Sequence, residues 1–488
     1  MKLFRTLGLT AAVALAMVAS ASAQTWTKLT NQPGVNVGPM LQLRDGRILV
    51  NESQSPNPGV WKILTPDSTG SYVNGTWSSG GTMQNGYEPI YFGSQVLLSG
   101  TSVVVEGGEY NNGSAVWTTL GSIGTVTPFG GITWKSNNPP SGWTTIGDAE
   151  SVTLFSGKYM QANCCTSQNA IFNGPNSWTA TGSVHQGNND ESGFTLLPNG
   201  LVLTVDTKSA GSCGSSRASE LYNQNTGTWS CGPLTPVQLY NPSDEELGSA
   251  VMMYNGQVLQ FGGNVVATAI YDVATNTWSA GPTPSGGLDQ ADGPAALEPN
   301  GLVLAMLSPG LFGSGCQMVE YDPTANTLSN TANPENCPSD SSYVGHLMIL
   351  PTGQIMFTDF SGTVEVYTPA AGVVANVAPT IRLESTTLTA GSTNNLAYGM
   401  QLNGLSDNNA YGDDYQAATS FPLVRLTATD GSGTVYYAFT HTDSSHSIAR
   451  SRKGQTHFDL PSTIPAGTYT LNVVTNGIAS NSVTVTVN

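Results

Sequence analysis

One short unit, written seven times, restricts the fold more than any other feature of this 488-residue chain. An apolar strand runs into a tight glycine turn and out through a second apolar strand. Six copies read "PMLQLRDGRILV", "SVTLFSGKYMQA", "GFTLLPNGLVLTV", "SAVMMYNGQVLQFGG", "PAALEPNGLVLAM" and "HLMILPTGQIMFT". "QVLLSGTSVVVEGG" is a distorted seventh. The turn glycines are Gly46, Gly100, Gly157, Gly200, Gly256, Gly301 and Gly353. Asp-Gly and Asn-Gly at such turns suit hairpins, because the backbone there needs positive φ.

A third strand follows each hairpin, as in "ASELYNQ", "TAIYDVA" and "QMVEYDP". A fourth carries a Trp, as in "NGTWSSG", "PNSWTATG", "TGTWSCG" and "TNTWSAG", with "ANTLSNT" a weakened copy. Four strands per roughly 50 residues is the kelch-type blade of a β-propeller. The seventh unit lacks its Trp strand, while the segment "TWTKLTNQP" is a Trp strand with no blade before it. Residues 25–30 are therefore expected to complete blade seven, which removes an exposed edge. From about Pro379 the blade pattern gives way to alternating strands between Pro/Gly turns, an immunoglobulin-like pattern. The expected fold is all-β: a seven-bladed kelch-type β-propeller over 24–375, then an immunoglobulin-like β-sandwich over 379–488.

Residues 1–23 read as a secretory signal, with a basic start at Lys2 and Arg5, a short apolar stretch and "SASA" before Gln24. Without Lys2 and Arg5 the chain carries 13 basic against 32 acidic residues, a balance of −19. That excludes nucleic acid and anionic membranes as partners. No later segment is long and apolar enough to span a bilayer, so a secreted, extracellular or periplasmic monomer is expected. Export predicts disulfides, and proximity pairs Cys213 with Cys231 and Cys316 with Cys337. The adjacent Cys164 and Cys165 are left as either a vicinal ring or thiols.

This order of parts resembles the secreted galactose oxidase and glyoxal oxidase group. The resemblance implies a propeller with an immunoglobulin-like C-terminal domain and a copper ion on the axis. Two tyrosines and two histidines hold that copper, a cysteine is thioether-linked to one tyrosine, and one histidine arrives on a C-terminal loop. "SYVGHLMILPTGQIM" is similar to the group's Tyr-His segment: Tyr343 falls at the tyrosine, Val344 at the adjacent histidine position, and His346 is displaced by two residues. "YYAFTHTDSSHS" is similar to the histidine loop, with His441 or His446 as the ligand. The group's cysteine and second tyrosine lie nine residues before a turn glycine. Here those places hold Asp148, Glu191, Leu247 and Asp292. The copper-radical cofactor is therefore not expected.

Acids take that position instead. Asp148, Glu191 and Asp292 share one offset, Asp190 and Glu246 precede it by one residue, and Glu245 by two. Glu88 precedes the second blade's first strand. Equivalent positions on successive first strands converge at one mouth of the channel, with Tyr343 and His346 from blade seven. Such crowded carboxylates must bind a cation, stay protonated or accept hydrogen bonds. Three site chemistries follow: a hard cation such as calcium, a sugar or polyol, or an acid/base pair with Glu191 and Asp292 as catalytic candidates. The plain alternative is that the acids accept hydrogen bonds from neighbouring blade backbones. His346, His441 and His446 are the candidate ligands for a transition metal, while His185 and His457 are structural. No phosphate loop, zinc helix, serine elbow or dinucleotide fingerprint occurs.

The leading expectation is an exported propeller binding a carbohydrate-like ligand, small molecule or polysaccharide, at Glu88, Asp148, Asp190, Glu191, Glu246, Asp292 and Tyr343. The alternatives are a diverged metal oxidase, a carboxylate-based glycoside hydrolase or lyase, and a non-catalytic adhesion scaffold.

Overall fold

The computed structural model describes residues 24–53, 59–84, 86–208, 211–412 and 417–488; the signal segment lies outside them. Seven antiparallel four-stranded units follow one another, the first being Val37–Gln42, Ile48–Glu52, Val60–Thr65 and Thr76–Thr82. Their first strands are Val37–Gln42, Gly93–Val96, Ser151–Thr153, Thr195–Leu196, Leu247–Met252, Ala295–Leu297 and His346–Ile349. Each touches the next, and the last returns to the first, so the ring closes on itself. These strands are almost wholly buried, as the innermost layer of a propeller must be.

The ring is closed by the chain's two ends. Thr25–Lys28 pairs with Glu365–Thr368 in the register Thr25↔Thr368 and Lys28↔Glu365, supplying the outer strand of the last unit. The recurrent Trp of the outer strands has a physical role. Trp134 donates its indole N–H to Gly80 O, Trp178 to Asn138 O, Trp26 to Ala332 O and Trp77 to Asn31 O. Trp278 reaches Ser219 Oγ. Each bond crosses to the preceding unit, so the motif stitches blade to blade, at about 1 kcal/mol per bond. Trp229 is the exception: it packs on Phe194 and Tyr222, and its indole nitrogen meets no acceptor among the described residues.

The second unit is distorted because an extra sheet grows from it. Pro89–Ile90, Tyr110–Asn111 and Ser114–Ala115 form a separate three-stranded sheet, the latter two inserted between the unit's second and third strands. The three disulfides join Cys213 to Cys231, Cys316 to Cys337 and the adjacent Cys164 to Cys165. No described helix is long and apolar enough to cross a membrane.

The C-terminal part is the expected β-sandwich, with its two sheets joined through one shared strand, Val435–His441. Its strands form one continuous nine-stranded curled sheet, joined through pairing of Leu423–Ala428 with Val435–His441. Its two halves face each other across a shared core that includes Ile381, Ala397 and Phe458 on one side and Leu426, Leu471 and Val485 on the other. This part caps the turn-glycine end of the propeller. A Cβ on Gly46 (φ 77°) would lie 2.7 Å from the Tyr437 ring, and one on Gly100 2.5 Å from Thr440 O. Those turns therefore need glycine twice over, for conformation and for clearance.

A finger of the C-terminal part enters the ring. Asn409–Ala410 pairs with the first strand of the sixth unit, Ala295↔Ala410 and Ala296↔Asn409. Asn408 exchanges hydrogen bonds with the Leu297 backbone, Asn409 Oδ1 accepts from Ile349 N–H, and Tyr411 donates to Tyr343 O. The buried carboxamides satisfy strand edges that the narrow ring leaves open.

Candidate functional site

The described residues of the finger reach the place where the first strands begin, at the mouth away from the C-terminal part. There a cavity of about 230 Å³ is lined by Tyr91, Glu109, Tyr110, Asp148, Glu191, Glu246, Asp292, Phe312 and Tyr343. Five are acids, four are aromatic, and none is basic. The common offset explains the convergence, since equivalent places on successive first strands meet around the axis. Tyr91, Glu191 and Asp292 each stand nine residues before their turn glycine, and all three have left-handed backbone, φ 53°, 62° and 47°. Glu246 sits one residue earlier, and a register shift between Leu247 and Ala250 accommodates that difference. Tyr343 is carried by the short 3₁₀ turn Ser342–Val344.

The lining divides into two arcs. Carboxylate oxygens of Glu191, Glu246 and Asp292 lie within 4.8 Å of one another, and so do those of Asp148, Asp190 and Glu191. Facing this acid arc is a chain of rings: Tyr110 to Tyr91 at 6.1 Å, Tyr91 to Tyr343 at 6.5 Å, and Tyr343 to Phe312 at 4.9 Å. Gly412 lies beside it: a Cβ there would fall 2.6 Å from Asp292 Oδ1.

Crowding raises proton affinities. Burial and then the charges of Glu246 and Asp292 push Glu191 well above the usual carboxylate range. Glu246 is raised by burial. Glu109 is pushed to about 7, by burial first and then by Glu246.

Of the sequence candidates, Asp148, Glu191, Glu246, Asp292 and Tyr343 line the cavity together. Two lie to one side. Asp190 has an oxygen near Asp148, but Lys208 Nζ holds its Oδ2 at 3.2 Å and also binds Glu245, so its charge is already paired. Glu88 lies on the three-stranded insertion, where its backbone N–H donates to Asn111 Oδ1, and it does not line the cavity. The second unit presents Tyr91 instead.

The three histidines do not share a site. His346 is 1% exposed, stacked on Tyr411 at 5.3 Å and edge-on to Phe360, and burial lowers its pKa to about 3. It is a neutral ring behind the wall. His441 contacts Thr442 and Asp459 on the outer domain, and the His446 ring contacts Ser420 and Asp407 while its backbone N–H donates to Phe155 O. The segment carrying both stays on the capping side. The finger that reaches the mouth is 402–412, which contains no histidine.

Sequence reasoning missed Tyr91, Glu109, Tyr110 and Phe312. Tyr91 was findable, because the offset rule applied to Gly100 lands on it. The other three sit on insertions without periodicity.

The copper-binding donor set does not fit this mouth. Among the described residues no histidine lines it, and all six cysteines are in disulfides. Tyr91 and Tyr343 are present, but the remaining donors are carboxylates, a hard set that suits calcium or magnesium rather than copper. A larger groove of about 540 Å³ lies on the capping side, lined by Asp45, Arg47, Phe129, Tyr436 and Tyr437 among others. Its Asp45–Arg47 pair is satisfied internally, and the convergent carboxyl groups are at the smaller mouth.

The sequence matches no protein-family model, and no curated protein matches it. Among solved structures the chain is similar to a copper-bound fungal alcohol oxidase of the AA5 family. The TM-score is 0.54 at 14% identity, over 96% of this chain and 99% of that one. It also aligns with a streptogramin B lyase (TM-score 0.48, 11% identity, 71% of this chain and 97% of that one). A virginiamycin B lyase from Staphylococcus aureus aligns at TM-score 0.48 and 9% identity, over 71% of this chain and 99% of that one. At these identities the first likeness establishes a galactose-oxidase-like propeller fold and nothing of its chemistry.

Proposed function

We propose that this protein is an exported, two-part binding protein, with a seven-bladed propeller over 24–375 and a C-terminal domain over 379–488. Its mouth takes a carbohydrate-like or polyol ligand. The observation that carries the reading is the two-arc cavity. Aromatic rings on one side offer flat apolar faces to C–H groups, and carboxyl groups on the other offer acceptors to hydroxyls. At about 230 Å³ the cavity is below the roughly 300–1,000 Å³ of drug-sized sites, so it holds one small molecule or one ring of a polymer.

Binding is favoured over inverting glycoside cleavage. Oxygens of Glu191 and Asp292 lie within 4.8 Å, less than the roughly 6.5–9.5 Å needed to seat a water between two carboxyl groups. The three disulfides suit an oxidising compartment, in keeping with export. The test is calorimetric titration of the purified protein with a panel of neutral and charged monosaccharides and alditols. Saturable binding that weakens at least about tenfold in Tyr343→Ala, with unchanged melting temperature, supports the reading. No binding by any panel member removes it.

A further inference from the structure

Loop closure does not explain the Cys164–Cys165 disulfide. The other two disulfides join residues 18 and 21 positions apart and so restrict the unfolded chain. Cys164 and Cys165 are adjacent, and their bond closes only a small ring around their own peptide group. Both polar atoms of that peptide group are in use. Cys164 O accepts from Asn189 N–H at 3.0 Å, and Cys165 N–H donates to Asn163 Oδ1 at 3.3 Å. On its other side Cys164 N–H donates to Ile146 O at 2.9 Å.

Ile146 lies two residues before Asp148, and Asn189 two before Glu191. The turn over 163–168 therefore ties together the segments that carry two acids of the mouth. Asn189 is fully buried, and its carboxamide strengthens the tie by donating to Asn163 O, Thr166 O and Gln168 O. Beyond the acids Ser192 donates to Glu150, so each acid is held between two links. Cys164 is fully buried, and a Cβ on Gly147 would lie 2.5 Å from its sulfur and 3.0 Å from Trp117 Cδ1. A freed Cys164 side chain has no room to swing towards Gly147. Opening the ring therefore lets the backbone turn instead, and the released peptide group regains conformational freedom. Cys165 is exposed, which leaves the bond open to attack by a thiolate.

We propose that Cys164–Cys165 is a redox-sensitive clamp on the mouth, whichever ligand the mouth takes. A dithiol reductant attacks the Cys165 sulfur as its thiolate, and the Cys164 sulfur leaves and takes a proton. The reductant's second thiol then closes its own disulfide and releases the Cys165 thiol. The protein gains two electrons and two protons, the reductant loses them, and the segments carrying Asp148 and Glu191 lose their shared anchor.

Hydrogen exchange read by mass spectrometry tests this on the full secreted chain, with parallel samples alkylated and mapped to show which cysteines are reduced. With Cys164 and Cys165 reduced by dithiothreitol, amides over 144–148 and 187–191 should exchange at least about tenfold faster, while the first strands stay protected. Reoxidation should restore protection. Cys165→Ser, which cannot form the ring, should show the same local change without reductant and keep a nearly unchanged melting temperature; the reduced wild type carries the test should that variant not fold. Unchanged exchange over both segments with the pair reduced overturns the proposal. So does faster exchange spread over the whole propeller, which marks lost stability rather than an opened clamp. A Cys164–Cys165 bond that resists dithiothreitol until the protein unfolds also overturns it.

Discussion

Lowering the pH from about 8 towards 6.5 should stabilise this protein, before buried His346 (pKa about 3, against about 6.5 unfolded) begins to act with the opposite sign, and the buried pair Asp206 and Glu220 allows the effect to be worked out. Asp206 is 1% exposed and Glu220 is fully buried. Glu220 accepts N–H bonds from the backbones of His185 and Gln186, and its Oε2 lies 2.7 Å from His185 Nδ1. Asp206 is therefore the partner that keeps a proton, and its pKa is pushed to about 8, by burial first and then by the Glu220 charge. In the unfolded chain an Asp titrates near 4. Because the folded value is the higher one, the stabilisation is fully present below about pH 4 and is lost as pH rises through about 8. Across that window the folded state binds one extra proton, so stability falls by about 1.4 kcal/mol per pH unit. The full shift is worth at most about 5 kcal/mol, and sharing of the proton with Glu220 brings a realistic figure to roughly 2–3 kcal/mol. Guanidinium denaturation at pH 5, 6.5 and 8 reads the slope. Asp206→Asn keeps a donor for Glu220 without needing a proton. It should therefore flatten the slope by about one proton and be roughly 2 kcal/mol more stable than wild type at pH 8. An unchanged slope in Asp206→Asn refutes the assignment. Glu298 beside Glu320, raised to about 8, and Asp340 beside Asp359, raised to about 7, act with the same sign.

Three further outcomes are expected. Deleting residues 24–32 removes the strand paired with Glu365–Thr368 and the Trp26 bond to Ala332, so the melting temperature should fall sharply; Trp26→Ala alone should cost roughly 2–3 kcal/mol by chemical denaturation. Gly412→Ala places a methyl 2.6 Å from Asp292 Oδ1, so saccharide titration should show lost binding while circular dichroism stays native. Non-reducing peptide mapping should find Cys164–Cys165, Cys213–Cys231 and Cys316–Cys337, and replacing Cys213 and Cys231 by Ser should lower stability by about 2–4 kcal/mol.

The blade repeat was legible because each unit solves the same local problem. A hairpin needs its glycine, and an outer strand needs a Trp to reach the preceding unit, so both recur at fixed spacing. The acid arc was legible for a related reason: rotation about one axis turns equal offsets into equal heights. Tyr91 escaped because the insertion carrying Tyr110 obscured the second unit's register and drew attention to Glu88. Glu109, Tyr110 and Phe312 have no periodic signature, and only the path of their loops in space brings them to the mouth. The curled C-terminal sheet was unreadable in detail, since alternation shows which residues face a core but not whether two halves stay joined through one pair of strands.

The histidines show where a resemblance and a physical reading part. The resemblance placed a C-terminal histidine on the axis, and "THTDSSHS" was the segment with histidines to offer. A loop can enter a closed ring only if its own backbone groups find partners there, because the ring interior excludes water. The segment that meets this condition is the one rich in Asn: Asn408 and Asn409 bond to Leu297 and Ile349, and Ala410 completes a strand pair. Of its described residues, Tyr411 presents a ring to His346, and Gly412 presents no side chain to Asp292. The finger thus delivers no metal ligand from its described residues. Those described residues instead close the channel behind the acids, on the side of the C-terminal part.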